Sequence, residues 1–112
     1  MKAKGSQCPA ELTLALIGGR WKIPIIFHLL EGRKRFSELS RLLSGVTQKM
    51  LTQQLREMAR NGLVERRVFA EVPPRVEYSL TELGRSLLPV VDAMCRWGEQ
   101  HGAQRATGEV RA

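Results

Sequence analysis

This chain of 112 residues has little of what enzymes, secreted proteins and membrane proteins need. Its two cysteines, Cys8 and Cys95, lie far apart without CxxC or Cys/His spacing, which excludes a disulfide framework and a structural zinc site. There are two histidines, His28 and His101, no HExxH and no glycine loop of the kind that cradles phosphate. No catalytic constellation, metal site or cofactor site follows from such a set, so the residues point away from an enzyme. The apolar run of note, IPIIF at residues 23–27, is too short to cross a bilayer, and the leading MKAKGSQCP lacks the apolar core of a signal peptide. A cytoplasmic protein with free thiols is expected. Internal repeats and domain boundaries are also missing, so a single small domain with one core is expected.

What is present in excess is positive charge, and it is localised. Residues 20–67 hold eleven lysines and arginines against four glutamates, a net +7, which equals the formal charge of the entire chain. Residues 1–19 hold Lys2 and Lys4 against Glu11, and residues 68–112 hold five arginines against six acids. A positive field confined to about 50 residues suits a polyanionic partner better than basicity spread over the whole surface.

The hydrophobic pattern places the elements. Pro9 suits the first position of a short helix that Gly18 and Gly19 end, and a second helix spans residues 21–30 with Pro24 in its first turn. After the basic turn Arg33, Lys34, Arg35, Ser37 is expected to cap a third helix through Leu43, turning Phe36, Leu39, Leu42 and Leu43 inward. A turn at Ser44 and Gly45 leads to a fourth helix, capped by Thr47 and ended by Asn61 and Gly62. The alternating segments LVERRVFA and RVEYSL read as strands of a hairpin whose tip lies near residues 72–74, because two prolines supply no ladder donors. Thr81 is expected to cap one last helix through about Trp97. Residues 1–7 are expected to be flexible and residues 102–112 disordered, leaving residues 8–101 as the folded domain. The fold class is therefore mainly α with a small β-hairpin.

The fourth helix carries the functional signal. At about 100° per residue Leu51, Leu55 and Met58 share one face, while Lys49, Gln53, Arg56 and Arg60 share the opposite one, with Gln48 and Thr52 at its edges. Base edges in the major groove offer mixed donors and acceptors that amides and guanidinium groups meet bidentately. Two helices joined by a short glycine turn, followed by a hairpin, form a winged helix-turn-helix, whose second helix enters the groove of double-stranded DNA. Gln48, Lys49, Thr52, Gln53 and Arg56 are then the candidate base-reading residues. Arg33, Lys34 and Arg35 before the third helix, with Arg66, Arg67, Pro74 and Arg75 on the wing, are candidate backbone contacts. A winged helix used only for protein contacts is the other reading these residues allow.

The stretch from Cys8 to Gly98 resembles the HxlR-type winged helix-turn-helix transcriptional regulators, a MarR-like family of bacteria and archaea. The Cys-Pro start, GGRWK, RFSEL, VTQKMLTQQLREMARNGLVERR, EVPPRVEYSLTELG and the closing Trp-Gly all occur in register. The resemblance implies a small dimeric DNA-binding regulator. It also implies, for several members, a response to electrophiles or oxidants through the N-terminal cysteine, hence a small reactive effector.

Two further expectations come from the residues themselves. In the last helix Leu83, Leu87, Val90, Val91, Met94 and Trp97 make one apolar stripe, widened by Leu88 and Cys95 to more than one small domain buries. A homodimer through the first and last helices is expected, with Leu12, Leu87, Val91, Met94 and Trp97 in the interface and a pseudo-palindromic operator. Cys8, preceding Pro9, occupies a helix N-cap, where unpaired N–H groups attract a thiolate, but Glu11 competes for the same groups in a capping box. On the residues alone Cys8 is a structural cap, and the resemblance implies the second reading, a redox-sensing thiol; Cys95, inside the apolar stripe, is the slower of the two thiols.

Overall fold

The computed structural model describes residues 8–102; the expectations for the two termini fall outside them. Helices α1 (Pro9–Ile17) and α2 (Lys22–Leu29) lead into a two-residue strand β1 (Lys34–Arg35) and α3 (Phe36–Leu42). Helix α4 (Gln48–Arg60), strands β2 (Val64–Phe69) and β3 (Arg75–Leu80), the short α5 (Glu82–Arg85) and α6 (Leu88–Trp97) follow. A π-helical turn at Gly98–Gly102 closes the described chain. No single helix among the described residues is long and apolar enough to cross a membrane.

The core is built from one face of each element. Ile25, Ile26 and Leu29 of α2 meet Leu39 of α3, Leu51, Leu55 and Met58 of α4, Tyr78 and Leu80 of β3, and Val91 of α6. The 3.6-residue spacing of the three α4 side chains buries them together and leaves the opposite polar face to solvent. Thr47 caps α4 as its sequence position suggests, its hydroxyl accepting the Met50 N–H at 3.0 Å. Gly62 follows Asn61 with φ 77°, a left-handed conformation that glycine adopts without strain, and turns the chain directly into β2.

The sheet has three antiparallel strands in the order β1-β3-β2, not the two of the expected hairpin. Lys34 pairs with Tyr78 and Arg35 with Glu77, so part of the basic turn is an edge strand on β3. Two residues are too few for an alternation to be visible. Because β1 delivers the chain, α3 starts two residues earlier than expected: Arg35 is the N-cap and donates its N–H to Glu38 Oε1 at 2.7 Å, while Ser37 lies inside the helix. Leu39 and Leu43, four apart, face the core, and Leu42 is exposed instead of inward.

The last helix is also interrupted. Thr81 caps α5, accepting the Gly84 N–H at 3.0 Å, but the helix stops at Arg85 and resumes at Leu88. Pro89 has no N–H for the Arg85 carbonyl, and its ring disfavours a continuous helix there. The break changes which residues of the apolar stripe face outward. Val91, expected in a dimer interface, is 1% exposed and belongs to the protomer's own core. Leu87 is half-buried against that core, whereas Met94 (49%) and Trp97 (59%) stay at the surface.

Candidate nucleic-acid interface

Helix α4 presents Gln48, Lys49, Thr52, Gln53 and Arg56 along one shallow depression, joined by Glu57 and Arg60. From Gln48 to Arg56 is eight residues, about 12 Å of helix, which matches the width of the B-DNA major groove. Nothing among the described residues covers this face: Gln48, Lys49, Thr52, Gln53, Arg56 and Arg60 are all exposed. The five residues expected to read bases are therefore on one surface and accessible.

Glu57 is the only acid of α4, and sequence reasoning gave it no partner. Its Oε1 accepts a hydrogen bond from Lys22 Nζ at 2.7 Å, and Lys22 is itself buried, 8% exposed, at the first turn of α2. The Lys22 hydrogen bond and charge hold the Glu57 carboxyl below its ordinary value; Gln53 and Arg60 act in the same direction and partial burial opposes them. No signal in the sequence links residues 35 positions apart, although a lysine within an apolar helix start is an anomaly that invites a search for its partner.

The wing divides its arginines between two sides. Arg66 and Tyr78 are directly opposed in the β2–β3 ladder, as Tyr78 and Lys34 are across β3–β1, so these three share the side facing α4. Arg66 lines a cleft with Thr52, Arg56 and Tyr78, and the cleft shares Thr52 and Arg56 with the exposed α4 face. Arg67, Phe69, Arg75 and Glu77 occupy the other side. Arg75 lies 4.2 Å from the Phe69 ring centroid and Arg67 5.5 Å from it. Arg75 is also held by Glu71 at 3.2 Å and by Glu77 at 3.2 Å, although its Nε is not aligned for a hydrogen bond. Arg33 approaches Glu77 at 3.8 Å, and Lys34 approaches Glu31 at 3.6 Å. Arg75 thus acts first as a brace of the wing, while Arg35, Pro74 and the wing tip border a separate groove with Ser37. The Val72–Pro73 peptide at that tip is cis.

Cys8 is exposed at the N-cap of α1, and Glu11 Oε1 accepts its backbone N–H at 3.1 Å, the returning half of a capping box. Cys95 is half-buried on α6. Helix α1 buries only Ile17; Leu12 is half-buried and Leu14 is 60% exposed. The first helix therefore does not cover the outward stripe of α6.

Such a fold and surface have close relatives. The family model for the HxlR-like helix-turn-helix matches residues 16–106. The chain belongs to this family. It is 53% identical over 94 residues to YdeP, an HTH-type transcriptional regulator of Bacillus subtilis, covering 84% of this chain and 73% of that one. Among solved structures, the redox regulator HypR in its oxidised form is 52% identical with a TM-score of 0.80, covering 84% of this chain and 97% of HypR. The reduced form of the transcriptional regulator YodB from B. subtilis is 41% identical with a TM-score of 0.73, covering 85% and 94%. This HxlR-family member is a winged helix-turn-helix transcriptional regulator and not an enzyme.

Proposed function

We propose that the protein is a homodimer that reads a pseudo-palindromic operator in double-stranded DNA and whose affinity responds to oxidants or electrophiles through Cys8. The observation that carries the DNA reading is the exposed α4 face, where Gln48, Lys49, Thr52, Gln53 and Arg56 lie together with the one carboxylate paired off by Lys22. Arg66 extends this face toward the wing, and Arg33, Lys34, Arg35, Arg67, Pro74 and Arg75 are the backbone-facing set, with Arg75 already shared by Glu71 and Glu77.

The dimer is supported by apolar surface on both outer helices, Leu14 and Leu16 on α1 and Leu88, Val90, Met94 and Trp97 on α6. Leu12 and Leu87 border this surface; Val91 does not contribute to it. A two-fold dimer sets its recognition helices about 34–36 Å apart, one turn of DNA. The sensing role is supported by the exposure of Cys8 on a helix of that same dimer surface and by similarity to HypR, a redox regulator. Modification of Cys8 shifts α1, hence the dimer, hence the spacing of the recognition helices.

Fluorescence anisotropy across a salt series tests the DNA reading, with a duplex selected from randomised DNA and a random duplex of the same length. Arg56→Ala is expected to cost roughly 1–3 kcal/mol on the selected duplex and to relax one base preference, while Arg67→Ala weakens both duplexes alike. Binding without steep salt dependence, or no binding, leaves the winged helix as a protein-contact module.

A further inference from the structure

We propose that Lys22 is a positioning residue of the recognition surface: its buried ammonium holds and neutralises Glu57, so that α4 presents only neutral and cationic groups to DNA. The inference rests on the DNA reading above and adds to it a residue outside the helix-turn-helix.

The location of Lys22 is a poor one for a lysine on stability grounds alone. It is 8% exposed, and lysine is seldom buried to that degree without a partner. It also sits in the first turn of α2, where the helix dipole disfavours a cation. A buried ion pair is weak evidence for stability, because desolvation of both charges offsets their attraction. Its position supplies a better reason. Glu57 lies one helical turn after Gln53 and one before Arg60, within the depression that the candidate reading residues line. An unpaired carboxylate there would face the phosphates and repel them. The 2.7 Å bond draws it back against α2 and cancels its charge. It also ties the C-terminal half of α4 to α2 across 35 residues of sequence.

Lys22→Met, Lys22→Gln, Glu57→Gln and the double variant Lys22→Met/Glu57→Gln separate this role from plain support. Each is titrated by anisotropy against the selected and random duplexes from 50 to 200 mM salt, roughly the range over which phosphate contacts dominate. Lys22→Met is expected to bind both duplexes about tenfold more weakly at the lowest salt, with the deficit shrinking as salt screens the freed carboxylate. Glu57→Gln is expected to bind random duplex about threefold more tightly at low salt, since it leaves a cation without its anion. The double variant is expected to return to within about threefold of the native protein, a rescue that lost packing would not produce. Circular dichroism melts establish folding at the assay temperature. If Lys22→Met melts below it, Lys22→Gln decides: it still donates a hydrogen bond but carries no charge, and must also weaken low-salt binding. A Lys22→Gln protein that binds as the native one does, or a folded double variant as weak as Lys22→Met, overturns the proposal while native binding stands. A native protein that binds no duplex overturns the DNA reading and this role with it.

Discussion

Gly84→Ala should unfold this protein far more easily than a single added methyl suggests. Gly84 is buried in the four-residue α5, and a Cβ there would collide with the carbonyl oxygen of Leu63 and touch Leu80 Cδ2 at 3.0 Å. The first obstacle is backbone, so no rotamer change relieves it. The same Leu63 oxygen accepts the Thr81 N–H at 3.0 Å, which fastens the start of β2 to the end of β3. Overpacking costs about 1–3 kcal/mol, and loss of that hydrogen bond adds about 1 kcal/mol. Together they remove about 2–4 kcal/mol, against the 5–15 kcal/mol that is typical of a domain. At about 4–8 °C per kcal/mol, Tm should fall by roughly 8–32 °C. Gly98→Ala is the control: its backbone is helical (φ −63°, ψ −40°), nothing lies within 4 Å of the added Cβ, and a gain of about 0.4–1 kcal/mol is expected. Urea titrations followed by circular dichroism at one fixed protein concentration measure both. A Gly84→Ala protein within about 0.5 kcal/mol of the native one would refute the close-approach argument.

Other substitutions probe the remaining links. Thr47→Ala should cost about 1 kcal/mol in the same titration by removing the Met50 cap, and Thr47→Ser should restore most of it. Met94→Glu, at a surface position of the protomer, should leave the monomer folded and shift sedimentation toward the monomer at tens of micromolar; an unchanged dimer would move the interface elsewhere. Peroxide or an alkylating agent should change operator affinity in the native protein and not in Cys8→Ser, and equal responses would leave Cys8 as a helix cap. Because Lys22 lowers the Glu57 carboxyl, the pair's contribution is complete above the ordinary value of 4.5 and is lost as pH falls through the lower folded value. The Tm difference between native protein and Glu57→Gln should thus be constant near neutrality and close in acid; a difference that persists there assigns it to packing.

The periodic parts of this protein were legible without coordinates. A 3.6-residue repeat sorts α4 into a buried Leu51–Leu55–Met58 side and an open Gln53–Arg56 side whatever it packs against, and alternation with paired prolines marks β2, β3 and the wing tip. Thr47 and Thr81 declared their caps because capping is a contact over three residues. The tertiary structure decided what depends on contacts between distant residues. The strand at Lys34 and Arg35 exists only because β3 lies beside it, and that strand moves the α3 cap from Ser37 to Arg35. The break before Leu88 follows locally from Pro89, but which side of α6 then faces the core was set by its packing on α2, and it took Val91 out of the dimer surface. The partners in the Lys22–Glu57 bond and in the approach of Gly84 to Leu63 are named by no sequence window, since spacing along the chain encodes a residue's side of its own element and not the partner across the core.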